Sequence, residues 1–208
     1  MKKYLIFRYR VDQIVALTAL IIASPLLLIA AIMVKLDGGP VFFSQDRCGF
    51  NGRVFRVIKL RTMIVNADKY LDANEMPTRK RTTWAGEFLR GSSIDELPQL
   101  INIIKGDMAI IGPRPILPSM ADQMTEQEKQ RFSILPGVTG LAQIKGRNHL
   151  KWSRRFRYDQ IYVVHSSIQL DFYILFKTIA MVFKRENIST DRNASEVNDI
   201  RTRLLDVR

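Results

Sequence analysis

Ile14 to Val34 runs 21 residues without a charge, relieved only by Thr18, Ser24 and Pro25. That is long enough to cross a bilayer as a helix. A secretory signal also starts basic, but its apolar part is shorter and ends at a small-residue cleavage site. Here Lys35-Leu36-Asp37-Gly38-Gly39-Pro40 follows, so the segment is expected to stay in the mature protein. Pro25 sits in mid-run. It cannot donate to the Ile21 carbonyl and its ring crowds that group, so a kink is expected. The Ser24 hydroxyl can ease the loss by bonding a nearby carbonyl. Basic residues flank both ends, with Lys2, Lys3, Arg8 and Arg10 before and Lys35, Arg47, Arg53 and Arg56 after. A spanning helix concentrates Lys and Arg on the cytoplasmic side. Two topologies stay open: a kinked spanning helix, and a helix that enters, bends at Ser24-Pro25 and leaves by the same face.

The chain has 208 residues, enough for one good core in one or two domains. Its net charge of +12 points to anionic partners: nucleic acid, phospholipid headgroups or phosphorylated small molecules. A single cysteine, Cys48, excludes an intrachain disulfide and fits a reducing compartment. His149 and His165 are the only histidines, so no zinc site assembles without carboxylates.

After Pro40 the pattern turns to strands. Val41–Gln45 and Val54–Leu60 are β-type runs around an Asn51-Gly52 turn, a hairpin signal. Lys59 and Arg61 fall on one face of the second strand, Ile58 and Leu60 on the other. A helix is expected over Ile64–Asn74, then a basic surface loop over Glu75–Thr83. Met108–Ile111 reads as a strand and Pro118–Phe132 as a polar helix. Leu135–Leu141 is a Gly-rich turn, followed by Lys145-Gly146-Arg147-Asn148. Its glycines would let backbone approach a ligand and its cations suit phosphate, although the spacing matches neither the P-loop nor the dinucleotide fingerprint. Trp152–His165 and Ile168–Phe183 read as amphipathic helices, suited to a membrane interface or to packing on the core. The tail, Lys184–Arg208, is polar and charged.

The densest chemistry lies in Arg90–Pro115. Asp95 and Glu96 adjoin at the start of an apolar run, with Arg90 before them and Arg114, stiffened between Pro113 and Pro115, after. Paired carboxylates, fixed arginines and a helix start are parts that handle a phosphorylated substrate. Ser93-Ile94-Asp95-Glu96 is equally an S-x-x-E capping box. In a second register Leu97 caps, Pro98 takes the first helical position and the carboxylates lie in the preceding loop.

Several ordered motifs resemble the bacterial sugar transferases, specifically the small monotopic phosphoglycosyl transferases. They are Ser24-Pro25, Gly39-Pro40-Val41-Phe42-Phe43, Lys59-Leu60-Arg61-Thr62-Met63, Asp95-Glu96-Leu97-Pro98-Gln99 and Gly112-Pro113-Arg114-Pro115. Leu135-Pro136-Gly137-Val138-Thr139-Gly140 with Gln143, Gly146-Arg147-Asn148, and Asp159, Tyr162 and Asp171 complete the set. Leu60 replaces the family's usual phenylalanine, and Leu141 an aromatic often found there. The resemblance implies a mixed α/β, mostly helical, membrane-associated fold. It would have an N-terminal re-entrant helix broken at Ser24-Pro25 (residues 1–36), a catalytic domain with a small hairpin and interfacial helices (37–185), and a polar tail (186–208).

The resemblance also implies a reaction: transfer of a sugar-1-phosphate from a UDP-sugar to polyprenyl (undecaprenyl) phosphate, releasing UMP, at the cytosolic face of the bacterial inner membrane. This would open glycoconjugate or polysaccharide assembly. Asp95 matches the nucleophile and Glu96 its catalytic partner. Lys59, Arg90 and Arg114 match phosphate-holding positions, and Asp159 and Asp171 match acidic substrate-site positions. Magnesium is the implied metal, with Asp95 beside it. UDP-sugar, polyprenyl phosphate and membrane lipid are the expected partners, nucleic acid is not, and a homodimer is left open. The reading from another class is a non-catalytic, membrane-attached binder of lipid or nucleic acid. It suits the charge but leaves the carboxylate pair unexplained, and the chain carries no nucleic-acid module.

Overall fold

The computed structural model describes residues 3–71, 78–146 and 150–183. Lys2, residues 72–77, Arg147, Asn148, His149 and residues 184–208 lie outside it. With them go the end of the helix expected over 64–74, the start of the 75–83 loop, most of the Gly146-Arg147-Asn148 motif and the tail.

The chain opens with α1, Lys3–Leu36, a helix of 34 residues. The helix is continuous through Pro25, where the sequence suggests a break. The Ser24 hydroxyl donates to the Ile21 carbonyl at 2.8 Å, satisfying the acceptor that a proline nitrogen leaves unbonded. Leu5, Arg8, Asp12, Ala16, Ala30 and Val34 are its buried residues, a stripe at helical spacing along one face. Leu5 joins the cluster of Ile111, Ile134, Tyr162 and Ile174. Ala16 joins Val57, Ile103 and Met108, and Ala30 and Val34 join Leu60 and Leu89. Both ends of α1 thus rest on the same globular body. Between Leu17 and Ile29 no residue is buried.

The hairpin forms as expected. Antiparallel β1, Phe42–Cys48, and β2, Val54–Leu60, place Phe43 opposite Lys59. At the tip Asn51 (φ 54°) and Gly52 (φ 74°) hold the left-handed backbone these residues tolerate. Arg61, just past β2, is buried. Its guanidinium donates to the carbonyls of Pro40 (2.7 Å), Met63 (3.0 Å), Val34 (3.0 Å) and Gly38, so it ties the end of α1 to β2.

The helix expected from Ile64 reduces to a 3-10 turn at Ala67–Tyr70. The backbone before it is extended: Met63 bridges Thr82, and the Ile64 amide donates to the Arg81 carbonyl at 2.9 Å. Then come α2, Trp84–Ser92, and α3, Gln99–Lys105. Strand β3 is Ala109–Ile111. The single helix expected over Pro118–Phe132 is three pieces: α4, Pro118–Ala121, α5, Glu126–Lys129, and a 3-10 turn, Gln130–Ser133. Thr125 restarts the helix with a full capping box on Glu128.

The Gly-rich turn contains a strand, β4 (Gly137–Thr139), parallel to β3. Its glycines let backbone meet backbone rather than ligand. A Cβ on Gly137 would lie 2.0 Å from the Gly112 nitrogen, and one on Gly112 would lie 2.4 Å from the Leu135 carbonyl oxygen. Helices α6, Leu141–Gly146, α7, Trp152–His165, and α8, Ile168–Phe183, close the chain. The described fold is therefore mixed and mostly helical with two small sheets. Apolar faces stay uncovered along it: Ile21, Ile22 and Leu28 on α1, Trp84 and Phe88 on α2, and Phe172, Phe176 and Ile179 on α8.

Candidate active site

Asp95 and Glu96 sit on a 3-10 turn, Ile94–Glu96, wedged between α2 and α3. Neither capping register suggested by the sequence is used as such. Thr83 caps α2, accepting from the Gly86 amide, and Ser93 ends that helix with a left-handed backbone (φ 59°) and no side-chain cap bond. Leu97 and Pro98 are already helical and lead into α3.

Two contacts fix this turn against β2. Gly86 lies on the Thr62 backbone so closely that a Cβ would come within 2.0 Å of the Thr62 oxygen. One turn later, Arg90 Nε donates to Thr62 Oγ1 at 2.8 Å. From α3, buried Asn102 accepts from the Ile58 amide (3.1 Å) and donates to the Arg56 carbonyl (2.7 Å). It thereby completes the open edge of β2 on the strand that carries Lys59.

Glu96 Oε1 accepts from Lys59 Nζ at 2.6 Å and from Arg114 Nη2 at 2.7 Å. Burial alone would raise its pKa, but Arg114 and Lys59 outweigh burial and hold the carboxyl well below the usual range. Burial draws Lys59 down, against the pull of Glu96. Asp95 is the contrast. It is 8 % exposed, and among the described residues its carboxylate takes no hydrogen bond or ion pair. Burial, then the charge of Glu96, push it up to about 6 against Lys59, Arg90 and Arg114. One carboxylate is clamped and the other is held ready, with three cations in range. A pair of carboxyls driven apart in pKa divides into distinct acid–base and nucleophilic roles.

The structure brings together Asp95, Glu96, Lys59, Arg90 and Arg114, but not Asp159 and Asp171, which the sequence places among the substrate contacts. Both are buried in ion pairs. Asp159 on α7 meets Arg131 at 2.9 Å. Asp171 on α8 meets Arg8 at 2.9 Å and accepts from the hydroxyls of Tyr162 and Tyr4. Arg8 also reaches the Ile111 carbonyl (2.8 Å), and Asp12 accepts from the Ile110 amide (3.1 Å), so this network latches α1 to β3. Arg131 is not legible as a functional residue in the sequence, because it lies in a stretch whose composition reads as a plain polar helix.

Among the described residues no group of three or more His, Cys, Asp and Glu could hold a metal by itself. The donor set still fits magnesium, which takes one or two carboxylates and completes its shell with phosphate oxygens and water. The uncommitted Asp95 carboxylate is such a donor.

The family model for bacterial sugar transferases matches residues 3–185. An uncharacterized sugar transferase, EpsL, from Bacillus subtilis is 40% identical over 178 residues, 85% of this chain and 87% of the relative. The UDP-glucose:undecaprenyl-phosphate glucose-1-phosphate transferase of Klebsiella pneumoniae is 40% identical over 84% of this chain. The undecaprenyl-phosphate galactose phosphotransferase of Salmonella typhimurium is 36% identical, also over 84%. This chain spans only 40% of the length of each of the last two. With carboxylates, cations and both ends of α1 inside the matched region, the chain belongs to the bacterial sugar transferase family.

Proposed function

We propose that the protein transfers a sugar-1-phosphate from a UDP-sugar to polyprenyl phosphate, as the first membrane step of glycoconjugate or polysaccharide assembly. The observation that carries this reading is the unpaired Asp95 beside the clamped Glu96, within reach of Lys59, Arg90 and Arg114. The names of the Klebsiella and Salmonella relatives support it.

An Asp95 carboxylate oxygen attacks the β-phosphorus. The bond from that phosphorus to the oxygen bridging the two phosphates breaks, its electron pair stays with the bridging oxygen, and UMP leaves. A phosphate oxygen of the lipid acceptor then attacks the same phosphorus, and the acyl phosphate bond returns its electrons to Asp95. Two displacements at one residue give ping-pong kinetics. Lys59, Arg90 and Arg114 offset the repulsion between an anionic nucleophile and an anionic diphosphate. Glu96 orients Lys59 and Arg114 and is poised to meet the acceptor phosphate. Magnesium held at Asp95 with the diphosphate would neutralise further charge.

Acceptor chemistry requires a membrane. Both ends of α1 pack on one body and its apolar middle holds no buried residue, which supports a helix that bends at Pro25 without losing its helical backbone and so enters and leaves by the same face. The uncovered aromatic faces of α2 and α8 fit an interfacial position. Because nucleotide sugars are cytosolic, the proposed reaction takes place at the cytosolic face of the inner membrane.

The test is UMP release by purified protein given polyprenyl phosphate, magnesium and a panel of UDP-sugars. Release with one donor, abolished by chelator and by Asp95→Asn, is expected. Undiminished turnover in Asp95→Asn would overturn the covalent assignment.

A further inference from the structure

Arg131 is an odd residue to bury. Its side chain is 2% exposed and that of its partner Asp159 3%. The guanidinium lies against the rings of Phe156 and Phe132, 5.3 and 5.8 Å from their centroids. Among the described residues only Nη2 of its three nitrogens finds a hydrogen-bond partner; Nε and Nη1 are buried without one. Burying two charges and leaving two donors unmet is poor economy for stability, since an apolar pair of similar size is often as good or better.

What the pair achieves is placement. Arg131 Nη2, held by Asp159 at 2.9 Å, donates to the backbone carbonyl of Arg114 at 2.5 Å. That carbonyl sits between Pro113 and Pro115, whose own carbonyls accept from the Gly137 amide at 3.0 Å and from Arg47 Nη1 at 3.5 Å. The Gly112 amide bonds the Thr139 carbonyl before it and the Ile116 carbonyl accepts from the Cys48 amide after it. None of these four bonds is to the Arg114 carbonyl itself, which accepts from Arg131. The proline rings limit φ at their own positions, and Arg131 fixes the peptide between them. The side chain of Arg114 then projects to Glu96.

We propose that Arg131 and Asp159 are positioning residues: the buried pair grips the Arg114 carbonyl and so aims the Arg114 guanidinium at the carboxylate site. This rests on the reading of Arg114 and Glu96 as phosphate-handling groups. Both side chains are almost wholly buried, so their part in this proposal is indirect. A 1 Å displacement of an aimed group can cost about 100-fold in rate.

Single substitutions strand a buried charge and can unfold the protein, so the decisive variant neutralises both, Arg131→Met with Asp159→Asn. It is expected to melt within a few °C of the unaltered protein (roughly 2–4 °C per kcal/mol at this size). Its kcat/KM is expected to fall by about 10- to 100-fold. In an Arg114→Ala background the same pair should cost nothing further, because what it aims is already gone. A stable double variant with unaltered kcat/KM, or one whose loss multiplies with that of Arg114→Ala, would overturn the proposal. Amide exchange over residues 109–117 reads the placement without turnover. Faster exchange there in the double variant supports the brace even if no donor is ever turned over, and unchanged exchange overturns it.

Discussion

Replacing Asp95 with asparagine should end transfer and at the same time make the protein harder to melt. The carboxyl is 8 % exposed. Burial, followed by the neighbouring charge of Glu96, lifts its pKa from 3.8 to about 6. A folded pKa above the unfolded one means the fold favours the protonated acid. That stabilisation is complete below about pH 4 and is lost as pH rises through about 6. Roughly two pKa units correspond to about 3 kcal/mol, which is what holding Asp95 ionised costs at pH 8. Asparagine copies the shape of the acid and cannot ionise. Asp95→Asn should therefore gain about 3 kcal/mol at pH 8, a rise in Tm on the order of 6–12 °C for a chain of this size. The assay is thermal melting of both proteins in detergent with chelator from pH 4 to 8, with UMP release alongside. The two Tm values should converge near pH 4, draw apart between about pH 4 and 6, and stay apart above that. A variant that melts at or below the native protein at pH 8 would refute the reasoning, because it would mean the surrounding cations already hold Asp95 as a stabilised ion.

Four further outcomes are expected. Glu96→Gln removes the charge shared by Lys59 and Arg114 and should lower kcat about 100-fold, measured by UMP release. Gly86→Ala drives a Cβ to 2.0 Å from the Thr62 oxygen. It should cost about 1–3 kcal/mol by overpacking, read as a lower Tm, with reduced turnover because α2 carries Arg90. Asp171→Asn removes one of the two buried carboxylates beside Arg8, leaving Asp12 at 3.7 Å, and should cost about 1.5–3 kcal/mol, with faster proteolysis between α1 and the body. Single cysteines at Arg10 and Asp37, in a Cys48→Ser background, should both react with an impermeant maleimide from the cytosolic face. Labelling from opposite faces would refute re-entry.

The elements that follow from short-range rules are legible in the sequence: the hairpin from Asn51-Gly52, α7 and α8 from helical spacing, and α1 from its apolar length. The cluster of Asp95, Glu96, Lys59, Arg90 and Arg114 is legible as residue types, because paired carboxylates with proline-fixed arginine are unusual chemistry for a surface. What is not legible depends on contacts across the chain. Ile64 pairs with Arg81 instead of coiling, Gly137 packs on Gly112 instead of a ligand, and Pro25 stays helical because Ser24 supplies the missing donor. Asp159 and Asp171 look like site acids until their partners Arg131 and Arg8 are seen beside them. A buried arginine leaves no local signature, since nothing within four residues of Arg131 says that α7 will cover it.

Arg61 gives the molecule a datum. One guanidinium binds four carbonyls, those of Val34 and Gly38 at the end of the apolar helix among them, and it stands two residues beyond Lys59. The end of the apolar helix and Lys59 are therefore at a set height from each other, as a lathe tool is from its bed. Under the proposed reaction an acceptor is gauged at its phosphate, and the isoprene units that trail into the bilayer go unmeasured. Discrimination should accordingly be sharp in the headgroup and lax in tail length.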